Sequence, residues 1–164
     1  MKTLRYFLIL LAIPILFAAC NQTDQTVYGS LDKMVESYAG RVSYITPEAL
    51  HSSADEPASP MMIVDIREPE AFIEGHIPGA VNVPRGVLEF SADKLSNRRE
   101  KIVVYGQDDD LAILAAVNLE KLKFQHVDVL RGGFEKWVEN YSDQVEEGTG
   151  ESAAAPAAKA PSGG

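Results

Sequence analysis

Three consecutive carboxylates are the residues of this chain whose type and spacing most directly suggest chemistry. Asp108, Asp109 and Asp110 come directly before a helical pattern that begins at Leu111. Asp is a preferred N-cap residue, and acidic side chains in a first turn complement the helix dipole. The alternative is a site for a cation or for a basic partner. Because three consecutive residues in a helical turn cannot all face one ion, helix capping is favoured.

Glycine and proline mark two turns that would hold neighbouring segments in place. Gly75 and Gly79 flank a predicted chain reversal, where glycine permits a positive φ, and Pro78 fixes one φ angle in the same turn. Gly132 and Gly133 follow an apolar run and allow a sharp turn into a helix.

Apolar periodicity predicts the elements that would carry these residues. Unalternating apolar runs are typical of strands buried on both faces, and they occupy residues 61–66, 101–105, 127–130 and, more weakly, 80–83. Helical spacing occurs at residues 31–38, 111–122 and 134–141. Thr46-Pro47-Glu48 predicts the start of a short helix through Leu50, and the composition of residues 52–60 predicts a loop. This alternation predicts an α/β domain with a mainly parallel central sheet flanked by helices. Asp65 then lies at a strand's carboxyl end, where such proteins place their functional crevice.

The first twenty residues have the layout of an export signal. A basic start, an apolar run over residues 6–17 and the small residues Ala18-Ala19 precede Cys20, the only cysteine. The Phe17-Ala18-Ala19-Cys20 string resembles the lipobox of bacterial lipoproteins, which implies diacylglycerol on the Cys20 thiol and cleavage before it. An ordinary signal peptide with an incidental cysteine is the alternative. Lipoproteins of enteric bacteria that are retained in the inner membrane carry Asp directly after the cysteine, whereas this chain has Asn21. This difference favours attachment to the outer membrane, facing the periplasm.

Composition and charge divide the chain and exclude some partners. The predicted parts are a lipoprotein signal peptide (1–19), a tether with a short helix (20–41), a globular domain (42–141) and a disordered Ala-, Pro-, Gly- and Ser-rich tail (142–164). The net charge is −9, and loss of Lys2 and Arg5 with the leader gives −9 − 2 = −11. This charge disfavours binding to nucleic acid and to anionic lipid headgroups. A single cysteine provides neither a disulfide nor a cysteine metal cluster, and no metal or cofactor is predicted.

Two halves of the predicted domain resemble a rhodanese domain. The first is Asp65-Ile66-Arg67-Glu68-Pro69-Glu70-Ala71-Phe72 with Gly75-His76-Ile77-Pro78-Gly79-Ala80-Val81-Asn82-Val83-Pro84. The second is Lys101-Ile102-Val103-Val104-Tyr105, an Ala-rich helix, and Val129-Leu130-Arg131-Gly132-Gly133-Phe134 followed by Trp137. The resemblance implies structural roles: an Asp65–Arg67 ion pair that anchors a loop, and a turn histidine, His76, that is hydrogen-bonded to nearby backbone.

The loop that carries the family's chemistry departs from the family pattern. Rhodaneses have Tyr-Cys-x-x-Gly-x-Arg-Ser, whereas this chain has Tyr105-Gly106-Gln107-Asp108-Asp109-Asp110-Leu111-Ala112. The resemblance therefore places Gly106 at the nucleophile, Asp109 at the glycine and Leu111 at the arginine. Without a nucleophile the covalent step has no atom to occur on, and the phosphatases of this fold need the same cysteine.

The sequence thus predicts a membrane-tethered, catalytically inactive rhodanese-like module of the cell envelope. Its partners would be the membrane, through a lipid at Cys20, and an unidentified protein or small ligand in the degenerate crevice. Two alternatives remain open: sulfur transfer through a partner's cysteine or an unrecognised nucleophile, and a structural envelope lipoprotein.

Overall fold

The computed structural model describes residues 25–54, 61–95 and 97–148. Cys20, the predicted leader, residues 55–60 and residues 149–164 of the predicted tail lie outside the described residues. The chain divides into two units, Met1–Ser37 and Tyr38–Gly164. Helix α1 (Gln25–Ala39) accounts for all the described residues of the first unit. It begins six residues before the predicted helix, because apolar spacing marks only its later turns.

Five parallel strands form the sheet of the second unit. They are β1 (Ser43–Ile45), β2 (Met61–Asp65), β3 (Val81–Asn82), β4 (Lys101–Tyr105) and β5 (His126–Leu130). Their spatial order is β1-β5-β4-β2-β3, and all four pairings are parallel. The predicted α/β class with a parallel central sheet is confirmed. Strand β1 was not predicted, because three residues are too short to form a recognisable apolar run.

The second unit has four described helices, three between strands and one after the last strand. They are α2 (Pro47–Ala54), α3 (Pro69–Glu74), α4 (Asp110–Lys121) and α5 (Gly133–Tyr141), and short 3₁₀ turns occupy Arg85–Val87 and Ala92–Lys94. Thr46 caps α2 as predicted, since its hydroxyl oxygen accepts the Ala49 amide at 3.3 Å. Helix α2 runs four residues beyond its predicted end at Leu50, through a segment whose serines suggested a loop.

The core lies between the sheet and its helices. Its buried members come from β1, β2, β4, β5, α2, α5 and the turn after α3: Ile45, Leu50, Ile63, Ile77, Val103, Tyr105, Leu130 and Trp137. Burial of the central strands on both faces explains why their sequences read as continuous apolar runs. Within the described ranges, no helix is both long and apolar enough to cross a bilayer.

Candidate functional site

The carboxyl ends of the central strands meet at one edge of the sheet, and the loop after β4 lies there. Gly106 is the first loop residue and is buried. A β-carbon built on it would lie 3.3 Å from the carbonyl oxygen of Asp108 and 3.7 Å from Ile66. A small side chain at this position therefore requires only a slight displacement of the loop.

The turn between β5 and α5 holds this loop in place. The amides of Phe134 and Glu135 donate to the carbonyl oxygens of Gly106 (3.0 Å) and Gln107 (3.2 Å). The Gln107 side chain also donates to the Glu135 carboxylate at 3.2 Å. The contact needs a glycine at 133, because a β-carbon there would lie 2.6 Å from the Gln107 carbonyl oxygen. Gly132 and Gly133 have φ angles of +75° and +58°, which glycine adopts readily.

The three aspartates do not converge on one point. Asp109 occupies the N-cap position of α4, but its backbone is helical and its side chain makes no capping hydrogen bond. Its carboxylate instead accepts the Gly132 amide at 2.5 Å, which ties the loop to the β5–α5 turn. Asp108 accepts the amide of Asp110, the first residue of α4, at 3.1 Å. Capping was predicted for the three aspartates as a group: Asp109 has the N-cap position without a capping hydrogen bond, and Asp108 accepts the first amide of α4.

Asp65 and Arg67 form an ion pair beneath the loop. The Arg67 Nη2 and Nε lie 2.7 and 3.1 Å from the Asp65 carboxylate, which is fully buried. Nη2 also donates to the carbonyl oxygen of Gly75 at 2.6 Å, and the Phe134 ring stacks on the guanidinium at 3.8 Å. The pair thus joins β2, the end of α3 and α5, as expected for a loop anchor. The stack of Phe134 on Arg67 was not predicted.

Tyr105 is a buried ionisable group next to this ion pair. Its hydroxyl oxygen accepts the Ile77 amide at 3.2 Å, and its side chain is fully buried. Burial, and then the neighbouring Asp65 carboxylate, raise the pKa of Tyr105 well above its ordinary value. The hydroxyl therefore stays protonated in the fold and acts as a structural hydrogen-bonding group.

The turn after α3 contains His76, which is buried. Its Nδ1 lies 3.0 Å from the carbonyl oxygen of Phe72, and its ring stacks on the Phe72 ring at 3.8 Å between centroids. Gly79 has the positive φ, +74°, that the predicted reversal requires, and Pro78 precedes it. The prediction of positive φ at Gly75 was wrong, since its φ of 166° is extended backbone. A β-carbon at Gly75 would instead lie 2.8 Å from Val145.

Residues 144–148, called here the C-terminal strap, pack against this turn. His76 and Glu146 exchange two backbone hydrogen bonds of 2.9 Å, and Gly148 donates to Ile73 at 2.9 Å. The indole of the buried Trp137 donates to the carbonyl oxygen of Gln144 at 3.1 Å. Backbone pairing with the domain therefore continues to Gly148, seven residues beyond the predicted boundary at residue 141. Polar composition suggested a tail, but backbone pairing does not depend on apolar side chains.

A groove of about 540 Å³ opens beside the loop and is called here the crevice groove. It lies between α3, α5, Gln107 and residues 142–147 of the chain. Its apolar lining comes from Ala71, Phe134, Val138 and Val145. Among the residues that the structure describes, no three His, Cys, Asp or Glu side chains form a cluster that could hold a metal ion.

Comparison with known proteins agrees with this architecture. A family model for the rhodanese-like domain matches residues 46–140, which is more than half of the chain. The chain belongs to the rhodanese-like domain family. This rhodanese-like domain has, beyond the matched residues, the strap that pairs with its His76 turn.

Two relatives of this rhodanese-like domain are named for sulfur chemistry. The thiosulfate sulfurtransferase GlpE of Pseudomonas entomophila is 31% identical over 108 residues, covering 65% of this chain and 94% of GlpE. The putative sulfur carrier protein YrkF of Bacillus subtilis is 30% identical over 99 residues, covering 60% of this chain and 52% of YrkF. The chain therefore spans about half the length of YrkF and nearly all of GlpE.

A solved structure shares the fold as well. The rhodanese-like domain of an Anabaena protein, determined by solution NMR, has a TM-score of 0.58 and 25% identity, covering 74% of this chain and 86% of that domain. A possible tyrosine phosphatase from Rhodopseudomonas palustris has a TM-score of 0.59 and 26% identity, covering 67% of this chain and 89% of that protein.

Proposed function

We propose that this protein is a catalytically inactive rhodanese-like module that binds a partner at the crevice and is tethered to the cell-envelope membrane by a lipid on Cys20. The observation that carries the proposal is Gly106. It is the first residue after the central strand β4, where the rhodanese pattern has its cysteine, and it provides no nucleophile. Cys20 is the chain's only cysteine and belongs to the predicted export signal.

The loop chemistry around Gly106 also opposes sulfur transfer. Rhodanese loops hold an anionic sulfur donor with backbone amides and an arginine, whereas Asp109 and Leu111 occupy the corresponding positions here. Leu111 is 47% exposed and offers no positive charge to a donor. The neighbouring carboxylates would repel a dianion and would raise the pKa of a thiol introduced at position 106.

A sulfur-transfer assay on the purified full-length chain tests the proposal. With thiosulfate as donor and cyanide as acceptor, we expect no turnover by the natural sequence and little by Gly106→Cys. The triple variant Gly106→Cys, Asp109→Gly, Leu111→Arg should clearly exceed the single variant, because it restores the thiol, the loop glycine and the cation. Unchanged melting temperatures would show that each variant is folded.

Turnover of thiosulfate by the natural sequence would overturn the proposal. The names of GlpE and YrkF support the alternative of sulfur transfer through a partner's cysteine. Under that alternative, adding this protein should increase the rate at which sulfur passes from a partner's persulfide to an acceptor. A crosslinked partner whose recovery does not depend on sulfur chemistry supports the binding role.

A further inference from the structure

Acidic side chains outnumber basic ones among the described residues that line the crevice groove. Arg67 is the one cation among the described residues that line it, and the buried Asp65 carboxylate neutralises it at 2.7 Å. Glu74 and Glu147 also line the groove, both are exposed, and neither has an ion-pair partner among the described residues. The mouth of the groove therefore carries net negative charge and does not suit an anionic ligand.

Arg67 nevertheless presents one donor nitrogen, Nη1, with its two N–H groups, to a ligand. Its Nε and Nη2 are used by Asp65 and Gly75, so Nη1 lies on the opposite edge of the guanidinium. Nη1 makes no hydrogen bond to any residue in the described ranges, although the side chain is only 8% exposed. A buried donor of this kind needs an acceptor, and an uncharged carbonyl oxygen satisfies it without adding negative charge.

The apolar lining limits the ligand further. Phe134, Val138 and Val145 give the groove an apolar side beside its acidic mouth. Lysine and arginine side chains match this division, since their aliphatic stems pack on apolar surface while the charged head stays near water.

We propose that the crevice groove binds a basic segment of a partner polypeptide. A backbone carbonyl of the segment accepts from Arg67 Nη1, and the stem of a lysine or arginine packs against Phe134 and Val138. The cation lies between Glu74 and Glu147. This inference rests on the proposed binding function, and it gives the partner a chemistry opposite to that of the thiosulfate dianion.

Fluorescence anisotropy with three dye-labelled peptides tests the proposal on the full-length protein. The eight-residue probes alternate alanine with lysine, glutamine or glutamate. We expect saturable binding of the lysine peptide, weaker binding of the glutamine peptide and none of the glutamate peptide. The variant Glu74→Gln/Glu147→Gln should bind the lysine peptide roughly three- to tenfold more weakly, the effect expected for two exposed ion pairs.

A matched control separates the groove from the general acidity of the chain. The variant Glu100→Gln/Glu120→Gln removes the same charge at residues that do not line the groove, and it should leave the affinity unchanged. Equal weakening by both double variants, or no binding of the lysine peptide, overturns the inference. Such a result leaves the inactive binding function standing if a crosslinked partner is still recovered, whereas turnover of thiosulfate would end that function independently.

Discussion

The loop after β4 can approach the start of α5 closely because Gly133 has no side chain to block the contact. We predict that Gly133→Ala destabilises the protein by more than Gly79→Ala, although both positions have positive φ. Alanine at such a φ costs about 1–2 kcal/mol. At Gly79 a β-carbon meets nothing within 4 Å, whereas at Gly133 it would lie 2.6 Å from the Gln107 carbonyl oxygen. Urea unfolding of both variants measures the difference in their free energies of unfolding. Equal losses of stability would show that the loop after β4 moves to accommodate the β-carbon at little cost.

We predict that the protein loses stability at alkaline pH because of the buried Tyr105 hydroxyl. Its pKa is raised in the fold by burial and by Asp65, so above about pH 10 the unfolded chain loses this proton while the folded chain keeps it. Stability from this group is complete below pH 10 and falls as pH rises, by about 1.4 kcal/mol per pH unit. The slope of unfolding free energy between pH 10 and 11 should be shallower for Tyr105→Phe, and the two pH profiles should run parallel between pH 7 and 9. Identical slopes above pH 10 would contradict this account.

Residue-level prediction from sequence succeeded where partners are close along the chain. Asp65 and Arg67 are two positions apart and sit in a recognisable motif, so their pairing could be anticipated. The stack of Phe134 on Arg67 and the hydrogen bond from Gly132 to Asp109 could not, because they depend on how separate loops meet at the sheet edge. Capping was predicted for the three aspartates together, and the bond from Asp109 at the N-cap position to the Gly132 amide of the β5–α5 turn was not foreseen.

At the scale of elements, the C-terminal strap gives a prediction about truncation. A chain that ends at Gly148 should melt within a few degrees of the full chain. A chain that ends at Tyr141 should melt clearly lower, because it loses the hydrogen bonds of Gln144, Glu146 and Gly148. At about 0.5–1.5 kcal/mol net for each bond, the loss amounts to a few kcal/mol. Equal melting temperatures for the two truncations would show that the strap adds nothing.

The strands and helices with strong patterns were predicted, and several of the short elements were not. Strand β4 was placed at Lys101–Tyr105 because five apolar-rich residues in a central strand leave a clear signal. Strand β1, helix α3 and the strap are three to six residues long, and each is fixed by backbone pairing or packing with distant parts of the chain. Local periodicity cannot report such contacts.

At the scale of the whole molecule, the predicted lipid anchor remains to be tested. We expect mass spectrometry of the mature N-terminus to find Cys20 as the first residue, carrying diacylglycerol. The apolar run that ends at Ala18-Ala19-Cys20 is the reason. Cys20→Ser should abolish both the lipid and membrane association while leaving the melting temperature of the domain unchanged. An unmodified thiol, or a mature chain that starts elsewhere, would rule out the anchor.

The strand order has a consequence for how the chain acquires its structure during synthesis. Among the residues that the structure describes, strand β1 pairs only with β5, and Ser43 faces Asp128, which the ribosome adds 128 − 43 = 85 residues later. Strands β2, β3 and β4 can pair as soon as residues 61–105 have emerged, whereas β1 must wait for its partner. The N-terminal edge of the sheet is therefore completed last, although its residues are made first. During that interval the backbone groups of β1 bond to water and have no strand partner, so the segment is open to a holding chaperone.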